Sequence, residues 1–400
     1  MTRDSRGPAR GNAAQPRRRW PWLALAAGVL MALPGSWLLA HRLASRDFPP
    51  APWSASELPT IPAAEENGLD DVVLPSGSWN VSNVPEELVP LVAALERQAP
   101  AARWALTVAE SARLAEWRGV DADTSARAAE LAQIDAALGE RRFADPCLGV
   151  GSECPMMRAI NLGRFAALAD LDAALRGDWS VALRRALRLL RAANDLIMSA
   201  RTMLGNSVAL VFARIATDHA RVVVAGYAAA AEPSAAPGAT PSAAQGATSI
   251  AERETLDAIA STLSALARDD VDARRALIAE CFWIRDGLMP LLDDPTNYPG
   301  AGGFLAPYFV DPRGTIAASD ERFITLMAWV EAPDHATRAP PVSRSYASGP
   351  GWWLWNPAGK SILDIAGVDL THVITRMDEL ADTLFVSRDA LRRELSALRE

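Results

Sequence analysis

The stretch FAALADLDAALRGDWSVALRRALRLLRAA, residues 165–193, decides the fold class of this chain. Its apolar residues recur every three or four positions on both sides of Gly177-Asp178, and this period predicts two amphipathic helices joined by a tight turn. The first stripe is Phe165, Leu168, Leu171 and Leu175, and the second is Trp179, Ala182, Ala186, Leu190 and Ala193. Because the same period recurs along the chain and strand patterns are scarce, we predict an all-α fold.

Further helices are predicted on both sides of this hairpin. Their ranges are 102–117, 122–142, 206–229, 271–291 and 320–331, with two more after the caps Asn83 and Asp369 and one after the capping box Ser249 to Glu252. The segments 292–319 and 333–358 are rich in Pro, Gly and aromatic residues, which favours long irregular loops. The predicted architecture is an antiparallel helical-hairpin bundle with long irregular loops.

A low-complexity segment, AEPSAAPGATPSAAQGAT at residues 231–248, contains one charged residue and no aromatic residue. Such a composition cannot bury a core, so the segment is predicted to be a mobile linker or a long loop. It separates a first helical lobe at 63–230 from a second lobe at 249–400, which carries the aromatic-rich loops. A Pro-rich stem at 41–62 precedes both lobes and is predicted to be extended rather than packed.

The run WPWLALAAGVLMALPGSWLLA, residues 20–40, contains no charge, and about twenty apolar residues suffice to cross the hydrocarbon core of a bilayer. The basic tail at 1–19 holds six Arg and one acid, which predicts a cytoplasmic N-terminus and a periplasmic C-terminal part. A signal peptide cleaved after Ala40 is the alternative, but Leu38 and His41-Arg42 make a poor cleavage site. We expect an uncleaved, single-pass transmembrane helix in the bacterial inner membrane, with the lipid bilayer as its partner.

The charge of the chain disfavours two classes of partner. The formal net charge is −8, and because residues 1–19 carry six Arg and only Asp4, the other residues carry −13. An acidic exported portion repels the phosphates of nucleic acids and of anionic lipids. No nucleic-acid partner is therefore expected.

Two of the three cysteines, Cys147 and Cys154, lie in the Gly-containing loop DPCLGVGSECP. In an oxidising periplasm, this proximity predicts a disulfide that closes a small ring. Two free thiols are the next alternative, and a zinc site is disfavoured because no His lies near and the spacing is not a ligand spacing. Cys281, in AECFW, is predicted to be a buried apolar residue.

No catalytic or metal-binding signature stands out, and no cofactor is expected. The four His residues lack ligand spacing, and His219 follows Asp218 on a helix, so their side chains should not face each other. The acids around Asn67-Gly68 lack the alternating spacing of a calcium loop, which favours a solvated turn over a Ca²⁺ site. Paired catalytic carboxylates stay open, because only geometry can choose among 48 acids.

The best candidate for a binding surface is aromatic. Trp352, Trp353 and Trp355 lie close together in an irregular segment, and Tyr308 lies in the other one. Exposed indole rings can stack on sugars or fill a pocket of a partner. The alternative is that these side chains fix the loops onto the helices by packing.

Two resemblances add to this interpretation. GDWSVA, at 177–182, resembles the middle of a tetratricopeptide hairpin, in which a Gly-Asp turn precedes an aromatic residue and then a small one. PAAEENGLDD at 62–71, INLGRFAALADLDAALRGDW at 160–179 and NPAGKSILDIA at 356–366 resemble a group of bacterial single-pass membrane-anchored helical envelope proteins to which no activity is assigned. The second resemblance implies an anchored helical envelope protein and assigns no active residue.

The anchor, the paired helices and the lack of a catalytic signature favour a structural role. We expect a membrane-anchored periplasmic scaffold or interaction protein that binds another envelope protein, rather than an enzyme. The alternative is an envelope hydrolase that acts on cell-wall or glycan material through paired carboxylates near the Trp-rich loops.

Overall fold

The computed structural model confirms the all-α class for the part of the chain that it describes, where no β-strand occurs. The described residues are 51–58, 100–119, 142–145, 156–231, 250–271, 273–294, 310–332, 337–341, 356–366 and 370–399, with single positions at 28, 32, 36, 93, 94, 97, 98, 132, 135, 136, 138, 139, 334, 345 and 346.

The helices alternate with short turns or with segments outside the described residues. In chain order they are α1 Pro100–Ala109, α2 Ser111–Gly119, α3 Met156–Leu175, α4 Trp179–Ser199, α5 Met203–Ala231, α6 Ile250–Ser264, α7 Ala273–Asp293, α8 Pro312–Val330, α9 Pro357–Ala366 and α10 Leu370–Ala397. Short 3-10 helices occupy Ala55–Glu57 and Arg268–Asp270.

The turn predicted at Gly177-Asp178 is confirmed. Gly177 has φ +82°, a left-handed conformation that glycine adopts without steric cost. Its N–H donates to the Ala174 carbonyl at 3.0 Å, and the Asp178 N–H donates to the Ala173 carbonyl at 2.9 Å. This pair of bonds is a Schellman C-cap, which ends α3 and lets α4 begin at Trp179 and fold back on α3.

Helix α5 lies at the centre of the bundle and contacts α1, α3, α4, α7 and α10. Small side chains make this possible, because Ala209, Ala213, Ala216 and Ala220 are all at most 1% exposed and let neighbouring helices approach closely. One continuous core contains residues from helices before and after the predicted linker at 231–248. The predicted lobes 63–230 and 249–400 therefore share apolar packing, for example between α5 and α10.

Aromatic packing holds α1 against α5. The rings of Trp104 and Trp179 lie 5.6 Å apart, and Tyr227 meets Trp179 edge-on at 5.8 Å. A Cβ placed on Gly226 would lie 2.8 Å from ring atoms of Trp104, so the indole rests where only glycine leaves room. The Tyr227 hydroxyl then donates to Glu252 on α6 at 3.1 Å, which links the helices flanking 231–248.

A fully buried arginine joins α10 to two other helices. Arg388 donates to Asn194 Oδ1 on α4 at 2.9 Å and to the carbonyls of Thr262 and Leu263 at 3.1 and 3.0 Å. Those carbonyls end α6, where the helix dipole attracts a cation. Burial, together with the nearby Arg392, lowers the pKa of Arg388 to about 10.

Two predictions of irregular or extended segments are wrong over the residues that the structure describes. The segment 292–319 was predicted to be irregular, but α8 begins at Pro312, two turns before the predicted helix at 320–331. Asp311 caps it by accepting from the Gly314 N–H at 2.9 Å, and Pro312 needs no donor in the first turn. Asp311-Pro312 is a typical helix start, but it was assigned to a loop because the segment before it is rich in Gly and Pro.

The stem at 41–62 was predicted to be extended, but within 51–58 it packs on the bundle. Ala51, Trp53 and Leu58 contact the core, and the Ala51 N–H donates to Asp320 Oδ2 on α8 at 3.2 Å. Trp53 and Leu58 are partly buried against the core, and this burial favours packing of the stretch over an exposed, extended chain.

The predicted anchor at 20–40 lies outside the described residues except for Gly28, Ala32 and Ser36, which are helical. Among the helices formed by described residues, none has both the length and the apolar character required to cross a bilayer. The transmembrane helix therefore stays a prediction.

Candidate functional site

A cavity of about 280 Å³ lies between α1, α3, α5 and α10. Side chains spaced three or four residues apart on α3 and α5 share one helix face, so both helices turn an apolar stripe toward the cavity. The apolar lining is Ala167, Leu168 and Leu171 from α3, Val211, Ile215 and Val222 from α5, and Leu380 from α10. The volume is near the lower end of the usual range for ligand pockets, roughly 300–1,000 Å³.

The polar lining of the cavity is mostly cationic. Arg103, Arg164 and Arg214 line it together with Asp218 and His219. Arg103 reaches the cavity from α1, Arg164 from α3 and Arg214 from α5, so three helices supply one guanidinium each. Among the residues that line the cavity, three are arginines and one is an acid.

Asp218 is the counter-charge of this cluster. Its Oδ2 atom lies 3.4 Å from Arg103 NH2 and 3.8 Å from Arg214 Nε. Its Oδ1 atom accepts from the Ser387 hydroxyl on α10 at 2.6 Å. One carboxylate thus binds groups from α1, α5 and α10, and it fixes where the guanidinium groups converge.

His219 faces a second, deeper carboxylate. Its Nε2 atom lies 2.8 Å from Oδ2 of Asp170 on α3, and both side chains are almost completely buried. Arg185 on α4 lies 3.6 Å from Asp170 Oδ1, beyond hydrogen-bond distance, and is itself held by Asp135 at 2.8 Å. Burial raises the pKa of Asp170 to about 6, although its contacts with His219 and Arg185 oppose the increase.

The His219 ring lies between the cavity and the Asp170 carboxyl group. The ring lines the cavity and also contacts a carboxyl group that can exchange a proton near neutral pH. The predicted separation of Asp218 and His219 is confirmed, because each side chain bonds to different partners. The Asp170–His219 pair itself was missed in the sequence. The available signal was two polar residues, Asp170 and His219, inside the apolar stretches of neighbouring helices.

The residues predicted for a binding surface, Trp352, Trp353, Trp355 and Tyr308, lie outside the described residues. The predicted disulfide partners Cys147 and Cys154 do as well. Both predictions stay open. The prediction for the third cysteine is confirmed, since Cys281 is buried on α7, where burial and then Asp320 raise the pKa of its thiol to about 12.

Among the described residues, no group of three or more His, Cys, Asp or Glu side chains has an arrangement that could hold a metal ion. Comparison of the chain with protein-family models, with curated proteins and with solved structures gives no match. The candidate site is therefore interpreted from the chemistry of its own side chains.

Proposed function

We propose that this chain is a membrane-anchored helical interaction protein of the bacterial envelope, and that the cavity between α1, α3, α5 and α10 is its ligand site. The observation that carries the proposal is the combination of apolar walls with arginines that converge on Asp218. Ligand sites typically combine an apolar lining with a few convergent polar groups.

The proposed location rests on the N-terminal sequence. Six Arg before residue 20 and the uncharged run at 20–40 favour an inner-membrane helix whose C-terminal part faces the periplasm. The rest of the chain is acidic and repels the phosphates of nucleic acids, so the proposal includes no nucleic-acid partner.

The contacts around the cavity favour binding over catalysis. Both carboxylate oxygens of Asp218 are already engaged, one by Arg103 and the other by Ser387. Within the part of the chain that the structure describes, the polar contact of His219 is with Asp170, and no hydroxyl or thiol lies within hydrogen-bond distance of its ring. An activated nucleophile of the Ser–His or Cys–His type needs such a contact.

An envelope hydrolase is the second candidate, and the Asp170–His219 pair is the observation that favours it. A carboxyl group with a pKa of about 6 can act as an acid or a base near neutral pH. The test is hydrolysis of purified envelope glycan by the wild-type protein and by His219→Gln. Activity that disappears in the variant would favour the hydrolase over the binding protein.

The binding function can be tested by photo-crosslinking in intact membranes. A photoreactive residue replaces Leu380, which lines the cavity, or Val386, which is 69% exposed on the same helix. After irradiation, the mass of the purified protein should increase by one ligand mass at position 380 and not at 386. Ala167→Phe, which fills the cavity, should suppress the adduct, whereas Ala229→Phe at an exposed position of α5 should not. Equal adducts at both positions, or adducts that persist in Ala167→Phe, would exclude the cavity as the site.

A further inference from the structure

We propose that the ligand of this cavity is a small organic carboxylate with an unbranched apolar tail, and that its head group pairs with Arg103 and Arg214 in competition with the Asp218 carboxylate. The inference rests on the proposed function and specifies the chemistry of the same site.

The head-group position follows from the geometry of the arginines. Arg103 and Arg214 come from different helices, yet both approach the same atom, Asp218 Oδ2, at 3.4 and 3.8 Å. Optimal contacts between a guanidinium and a carboxylate are about 2.7–2.9 Å long. Asp218 is attached to α5 and bonded to the Ser387 hydroxyl. Its carboxylate is therefore farther from both arginines than a mobile carboxylate would have to be. A free carboxylate can therefore make shorter bonds to the same two side chains.

The tail follows from the walls and the volume. Seven apolar side chains from α3, α5 and α10 line the cavity, so a methylene chain can be buried beside the arginines. Each buried methylene should tighten binding by about fourfold. A volume of about 280 Å³ is too small for a two-chain lipid and has far more apolar wall than an inorganic anion requires.

The two converging arginines favour an anion. Arg103 and Arg214 line the cavity and approach the same atom, Asp218 Oδ2. A neutral alcohol of equal length can occupy the apolar part but forms no ion pair with these guanidinium groups. A carboxylate gains charge-assisted hydrogen bonds, which are about twice as strong as neutral ones.

The experiment measures the affinity of the full chain in lipid nanodiscs for hexanoate, octanoate, octanol and inorganic phosphate. Octanoate should bind about fifteenfold more tightly than hexanoate, because it has two more methylenes, and at least tenfold more tightly than octanol. Phosphate should bind weakly. Partitioning into the nanodisc lipid is the same for all variants and cancels when variants are compared.

Three variants test the head-group position. Arg214→Gln should weaken octanoate binding at least tenfold and leave octanol binding unchanged. Arg253→Gln is the matched control, because it removes the same charge at an exposed position of α6. Asp218→Asn should tighten octanoate binding, since it removes the carboxylate that competes for Arg103 and Arg214.

The outcomes separate this inference from the function on which it rests. If octanol binds as well as octanoate and Arg214→Gln changes neither affinity, the carboxylate assignment is wrong while the cavity stays a ligand site. If phosphate equals octanoate, the apolar tail is wrong. If Ala167→Phe changes no affinity although the variant melts like the wild type, the cavity is not the site and both proposals fail. Loss of octanoate binding in Asp218→Asn would also overturn the competition between the ligand and Asp218.

Discussion

Replacing Asp170 with Asn should change how the stability of the helical domain depends on pH. Asp170 is completely buried on α3, with His219 on one carboxylate oxygen and Arg185 at 3.6 Å from the other. Asn has nearly the same shape and can keep a hydrogen bond to the imidazole, but it cannot ionise. The variant therefore removes the titration of this group with little change in packing.

The magnitude follows from the pKa of the Asp170 carboxyl, which burial raises from its ordinary value of 3.8 to about 6. Below pH 3.8 the carboxyl is protonated in both the folded and the unfolded protein, so it costs no stability. Between pH 3.8 and 6 the unfolded chain releases the proton and the folded protein keeps it. The free energy of unfolding therefore falls as the pH increases through this window, by about 3 kcal/mol in total.

The assay is urea unfolding of wild type and Asp170→Asn at several pH values from 4 to 8, followed by the helical circular-dichroism signal. The stability of the wild type relative to the variant should decrease by about 2–3 kcal/mol over this range. Asp257→Asn is the control, since Asp257 is 65% exposed and its ion pair with Arg399 lies at the surface. This control should follow the wild type within about 0.5 kcal/mol at every pH.

Parallel stability curves for wild type and Asp170→Asn would refute this reasoning. They would show that His219 and Arg185 compensate fully for the burial of the carboxylate. A wild type that gains relative stability toward pH 8 would reverse the sign and make Asp170 a carboxylate stabilised by its partners.

Three further predictions concern packing and redox state. Arg388→Met should lower the free energy of unfolding by about 3 kcal/mol, because three hydrogen bonds are lost. Removal of the buried charge offsets only part of this loss. Urea unfolding measures the difference. Gly226→Ala should cost about 1–3 kcal/mol and alter the near-ultraviolet circular dichroism, because the new methyl group overlaps the ring of Trp104; an unchanged spectrum would contradict this contact. Cys147 and Cys154 should resist alkylation until the protein is reduced, and labelling of both in unreduced protein would exclude the bridge.

The helical period predicted much of the bundle because burial of an amphipathic helix follows its sequence directly. In the stripe predicted for α4, Ala182, Ala186, Leu190 and Ala193 are buried, and Trp179 is half-buried. Leu256, Ile259, Leu263 and Leu266 share a face near α6, and they too are buried. These positions depend on local spacing, which the sequence contains in full.

The missed features depend on relations between distant residues. Asp170 and His219 are separated by 49 positions, and only the packing of α3 on α5 brings them to 2.8 Å. The cavity likewise requires α1 and α10 to meet α5, which no local period encodes. Trp53 was assigned to an extended stem because its Pro-rich surroundings outweighed the apolar area that it could bury.

The contact between Ala51 and Asp320 has a consequence for the reach of the domain. If residues 20–40 span the bilayer as proposed, only residues 41–50 separate the membrane from a point fixed on α8. Ten residues extend at most about 35 Å. The helical domain would then stay within a few tens of ångströms of the lipid surface. A fully extended stem would allow about twice that distance. Such a short connection would keep the cavity close to amphiphiles that leave the bilayer. It would also prevent contact with partners that lie far from the membrane.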